Sequence, residues 1–137
     1  MSELSSIVEF GADIADAKPP APLPARDYVA EVRNAEVGTS KKGSRMVVLQ
    51  FYVPADAYPP DFTDGNPDGT TLSHYVTCDD TPQGRWNMKR ICESLGAVMG
   101  RTIDANTFTG LRARIKVSHE EWEGVMRAKI DGVTKYN

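Results

Sequence analysis

From Leu111 to Ser118 the chain reads Leu-Arg-Ala-Arg-Ile-Lys-Val-Ser, apolar and basic residues in strict alternation. A period of two is the period of a β-strand, whose successive side chains point to opposite faces. Leu111, Ala113, Ile115 and Val117 therefore predict a face turned into a core, and Arg112, Arg114 and Lys116 an exposed positive row. A chain containing this segment is constrained to a sheet with one dry and one wet face. Three like charges on one exposed strand repel one another. The row predicts either an anionic partner or, more plainly, cations that discourage edge pairing.

The remaining segments predict a mostly β chain with one helix. Tyr28 to Val37 reads as a first strand, and the Ser-Lys-Lys-Gly-Ser segment ending at Ser44 as a hairpin turn. Arg45 to Val53 predicts a second strand whose odd positions, Val47, Leu49, Phe51 and Val53, are all apolar. Pro54 to Gly69 has four prolines and four aspartates and predicts a long mobile loop before a third strand, Thr70 to Thr77. Thr81-Pro82 offers an N-cap followed by proline at the first helical position, and Gly96 a stop, so a helix is expected to about Leu95. Met88, Ile91, Cys92 and Leu95 recur at helical spacing and predict its buried face. Gly100 to Gly110 reads as a connector. The basic strand is then expected to turn through His119-Glu120-Glu121-Trp122 into a last strand, Glu123 to Thr134, with Met126, Ala128 and Ile130 on one face and Val125, Arg127 and Lys129 on the other.

A chain of 137 residues fits one domain with its own core. The four prolines of Lys18 to Ala25 forbid a helix there, which divides the chain into an acidic, Pro-rich leader and linker, residues 1–26, and a folded domain, residues 27–137. Within the leader, Leu4, Ile7, Val8, Phe10 and Ile14 could form a short amphipathic helix for a partner. Residues 1–27 hold five acids against two bases, leaving 14 of each in the other 110 residues. Charge is thus segregated along a chain of net charge -3. The first residues lack a basic segment followed by a continuous apolar one, and no apolar run approaches a membrane span, so a cytoplasmic protein without membrane contact is expected. Cys78 and Cys92 read as buried free thiols.

Three strands, a helix and two strands is the element order of the OB-fold, a small five-stranded barrel that binds oligonucleotides on one sheet face and in its loops. In such a barrel the wet faces present Arg33, Gln50, Tyr52, Arg112, Arg114, Lys116, Arg127 and Lys129, with Lys41, Lys42 and Arg45 in the first hairpin. Cations that track phosphates, mixed with rings on which bases stack, suit single-stranded nucleic acid. Tyr52, Tyr75, Trp86 and Trp122 are the candidate rings, with Tyr28 read as a core anchor. Arg85, Lys89 and Arg90 share the helix with Trp86.

The leader ending in Leu23-Pro24 before Tyr28, the Lys41-Lys42-Gly43-Ser44 hairpin, Ile91-Cys92 followed by Leu95-Gly96, and the basic strand before Ile130-Asp131-Gly132 together resemble small phage-encoded single-stranded-DNA-binding proteins of OB-fold type. The resemblance implies a non-catalytic protein of the host-cell cytoplasm that coats strands during replication or recombination, largely without regard to sequence. The resemblance carries over no residue-level signature; by their own chemistry Lys41, Lys42, Arg45, Arg112, Arg114, Lys116, Arg127 and Lys129 are expected to meet phosphates, and Tyr52, Tyr75 and Trp86 to stack bases. The acidic leader or the aspartate loop would recruit replication or recombination proteins, and a homo-oligomer is left open.

Other chemistry finds less support. Asp64-Gly-Asn66-Pro-Asp68-Gly69 matches the first half of a calcium loop, but its twelfth position is Tyr75 rather than glutamate. His74 and His119 fall on different segments, and no phosphate loop or catalytic set is recognisable, so no cofactor, metal or catalytic residue is expected. The rival reading is a β-barrel protein-interaction or structural phage module without nucleic-acid binding.

Overall fold

Burial along the basic segment follows the alternation: Ala113, Ile115 and Val117 are buried while Arg112, Arg114 and Lys116 are exposed. In the computed structural model, which describes residues 6–136, this segment is β4 (Arg112–Trp122), preceded by β1 (Asp27–Thr39), β2 (Arg45–Val53), β3 (Thr70–Thr77) and α1 (Pro82–Leu95), and followed by β5 (Val125–Thr134). The five strands form one antiparallel sheet in the order β3-β2-β1-β4-β5. One face carries the core, in which Phe51, Phe108, Leu49, Ile115, Val32 and Val53 are almost fully enclosed. Phe108 comes from a 3-10 turn, Ala105–Phe108, inside the segment read only as a connector.

The helix follows its local signals. The Thr81 hydroxyl accepts a hydrogen bond from the Gly84 amide, Pro82 opens the helix, and Gly96 closes it. Gly84, Ile91, Cys92 and Leu95 are buried. On its flank, Asn87 Nδ2 donates to the Thr77 carbonyl at 3.0 Å and Ser94 Oγ to the Val133 carbonyl at 3.0 Å, so α1 is fastened to both end strands of the sheet. No ladder joins β3 to β5 among the described residues.

Three expectations need correction. The residues His119 to Trp122, read as a turn, continue β4, and the reversal is made by Glu123 and Gly124, both at positive φ (51° and 79°). Positive φ at both central residues is the two-residue hairpin geometry that matches strand twist. The loop expected to be mobile is packed: Tyr58 meets Phe62 edge to face at 5.2 Å, and the Tyr58 hydroxyl bridges Thr70 Oγ1 and the Asn66 carbonyl. In the leader, Ile7, Val8, Phe10 and Ile14 are exposed and a single 3-10 turn, Ile14–Asp16, replaces the expected helix; Leu4 lies outside the described residues.

The Pro-rich segment is extended, but it is not a loose tether. Leu23 is 3% exposed and belongs to the same core as β1, β2 and β4. Around it His119 Nε2 donates to the Leu23 carbonyl, the Tyr28 hydroxyl to the Pro24 carbonyl, and the Ala21 amide to Asp64. Removing a buried leucine side chain leaves a cavity that costs about 2–5 kcal/mol. Leu23→Ala is therefore expected to lower the urea midpoint by an amount in that range, whereas deletion of residues 1–20, none of the described ones buried, leaves it unchanged.

Candidate nucleic-acid interface

The face of the sheet opposite the core is defined by register. On it Arg112 lies across from Glu31, Arg114 across from Val29 and Thr134, and Lys116 across from Asp27 and Gly132. Further along the β4–β5 arm, Ser118 faces Lys129 and Glu120 faces Arg127. Arg33 reaches the same side through a bulge in β1: Val32 and Asn34 pair with consecutive residues of β2, leaving Arg33 as the extra residue. Cations of β1, β4 and β5 therefore share one wet face.

Carboxylates are interleaved with them. Glu31 holds Arg33 at 2.9 Å, Glu120 holds Arg127 at 2.8 Å, and Asp131 lies 3.6 Å from Lys129. The Asp131 carboxyl is held below the usual carboxylate range by the nearby Ser118 hydroxyl, which is buried and makes no hydrogen bond of normal geometry, and by the charges of Lys129 and Lys116. The repulsion anticipated within the row of β4 is thus relieved inside the molecule by Asp27, Glu31 and Asp131. Arg112, Arg114 and Lys116 still make no ion pair among the described residues; Arg114 donates to the Tyr136 carbonyl at 3.2 Å. Lys41 and Lys42 are exposed at the β1–β2 turn. Arg45 is committed elsewhere: its guanidinium grips the Cys78 carbonyl through Nε and Nη2 at 3.0 and 2.9 Å, tying the start of β2 to the end of β3.

The candidate rings differ in what already touches them. Tyr52 is sandwiched: the Arg33 guanidinium sits 3.8 Å from its centroid, a side chain at Gly69 would overlap the ring, and its hydroxyl donates to the Asp68 carbonyl. It anchors the packed loop. Tyr75 is 63% and Trp86 50% exposed, Trp86 with Lys89 Nζ at 5.6 Å from its centroid. Trp122, at the hairpin tip, is flanked by Arg127 at 4.9 Å. These pairs place a cation beside a ring that offers a face to solvent, the combination that single strands use.

The structure also brings together residues that no linear motif linked. His74 and Tyr75 of β3, Asn87 and Arg90 of α1, and Gly132 of β5 line one groove between the two end strands. Asp64, the first acid of the calcium-like segment, instead receives the Ala21 amide, and among the described residues no cluster of three His, Cys, Asp or Glu is arranged to hold a metal. Cys78 and Cys92 are buried and unpaired. No model of a known protein family matches the chain, and no curated protein matches it.

Burial lowers the His74 imidazole below its usual 6.5. The unfolded chain then binds the proton that the folded one refuses, so stability falls as pH drops below 6.5 toward the folded-state value. Urea midpoints measured at descending pH should decline across that window, and His74→Gln should flatten the decline.

Proposed function

We propose that this chain is a non-catalytic single-stranded-DNA-binding protein of OB-fold type, acting during phage DNA replication or recombination in the host-cell cytoplasm. The observation that carries the reading is the common wet face of β4 and β5, where Arg112, Arg114 and Lys116 are followed along the same ladder by Lys129 and Arg127, on a five-stranded sheet interrupted by one helix after its third strand. Exposed Trp86 and Trp122 add rings beside Lys89 and Arg127, and Tyr75 adds a further exposed ring. Among the described residues no helix is long and apolar enough to cross a membrane. In the leader, exposed Ile7, Val8, Phe10 and Ile14 are interspersed with Glu9, Asp13 and Asp16, an apolar and acidic surface suited to a protein partner.

A second reading, a β-barrel protein-interaction or structural phage module, draws on the carboxylates of that same wall, which already satisfy part of its positive charge. A titration with fluorescently labelled dT oligonucleotides at several salt concentrations separates the two. A strand binder loses log affinity against log salt with a slope near -0.7 per phosphate contact and binds duplex of equal length more weakly. A protein-interaction module leaves the label unbound.

Arg112→Ala combined with Arg114→Ala is expected to weaken dT binding about tenfold or more and to reduce the salt slope. Its melting temperature should barely move, because exposed charges contribute only about 0–1 kcal/mol. Conversely, Asp27→Asn combined with Glu31→Gln removes the carboxylates that lie across from Lys116 and Arg112, and is expected to tighten binding at low salt.

A further inference from the structure

The end strands β3 and β5 approach each other without pairing, and α1 spans the gap between them through Asn87 and Ser94. The resulting groove has an unusual set of unspent groups. Tyr75 is exposed, and its hydroxyl makes no hydrogen bond among the described residues. The Arg90 guanidinium makes no ion pair among the described residues, whereas the half-buried His74 ring, paired in register with buried Leu49, turns to the core side of β3. Gly132 leaves its side of the groove open, since a side chain there would meet nothing within 4 Å. Asp131 also borders the groove, but its charge is opposed by Lys129 and Lys116. Both strand edges present backbone amides and carbonyls that no third strand engages.

A flat π face, a cation and strand-edge backbone groups within one groove match the parts of a single unstacked nucleotide. A bare anion would use Arg90 and ignore the ring. An added peptide strand would use the edges and leave the guanidinium idle. We propose that the groove between β3 and β5 seats one nucleotide of the bound strand, its base on the Tyr75 ring, its phosphate on Arg90, and polar atoms of the base on the strand edges. This inference rests on the single-strand reading and extends it, because Arg90 lies one helical turn from Trp86 and the strand leaving the groove meets that ring and Lys89.

The experiment uses the full chain and dT oligonucleotides, one series carrying a single 5-iodouracil for photocrosslinking. Tyr75→Ala should weaken binding about tenfold and Tyr75→Phe about twofold or less, since the ring face rather than the hydroxyl carries stacking. Arg90→Ala should reduce the magnitude of the salt slope by about 0.7, the share of one phosphate. In the unsubstituted protein the iodouracil should crosslink to Tyr75, a readout that survives if Tyr75→Ala fails to fold. If the unsubstituted protein binds dT while Arg90→Ala keeps its full salt slope and no crosslink falls on β3, the groove proposal is overturned and the single-strand reading stands. If the unsubstituted protein fails to bind dT even at low salt, that reading falls and the groove assignment with it.

Discussion

A sheet with two free ends must do something with the backbone groups along them, and here the end strands are brought face to face and bridged by a helix. β3 and β5 come close without forming a ladder among the described residues, and α1 is fastened to one by Asn87 and to the other by Ser94. The same arrangement closes the core: Ile91, Cys92 and Leu95 cover the side that the sheet alone would leave open. The groove lies at the same place, between two edges that no ladder joins and beside the helix that bridges them. Fold and candidate site therefore have one origin, the need to shield strand edges without joining them.

Electrostatics on the outer wall follows from strand order. β1 is the central strand, and its wet positions bring Asp27 and Glu31 into register with Lys116 and Arg112. Opposite charges directly across a ladder are stabilising and like charges are not, so the basic row of β4 is tolerable in the absence of any ligand. A polyanion lying on this wall would exchange with carboxylates already there. On the proposed function, that exchange makes binding reversible and strongly dependent on salt.

Aromatic residues divide in the same physical way. Tyr52 spends its ring on Arg33 and Gly69 and its hydroxyl on Asp68, and so orders the loop after β2; Tyr58 and Phe62 complete that packing. Tyr75 and Trp86 have no comparable enclosure. A ring already stacked on a guanidinium has little to offer a base, which moves the expected weight of stacking from Tyr52 to the border of the groove.

The faces of β2 and β4, the cap and stop of α1, the burial of both cysteines and the outward row of Arg112, Arg114 and Lys116 were legible because each depends on periodicity or on a residue's own backbone preference. Burial of Leu23 and Phe108 was not: one sits among prolines that read as linker, the other in a segment with no period, and only packing against β1 reveals their use. The bulge at Arg33 could be detected only as a change in phase between Val32 and Ala35. Sequence by itself determined which side chains of a strand share a face, since that is a property of the extended chain. Tertiary structure alone decided which strands became neighbours, and hence that Asp27 and Glu31 meet the basic row, that Arg45 is drawn to Cys78, and that His74, Tyr75 and Arg90 border one groove. Those relations join residues far apart along the chain, and no local preference encodes a distance across space.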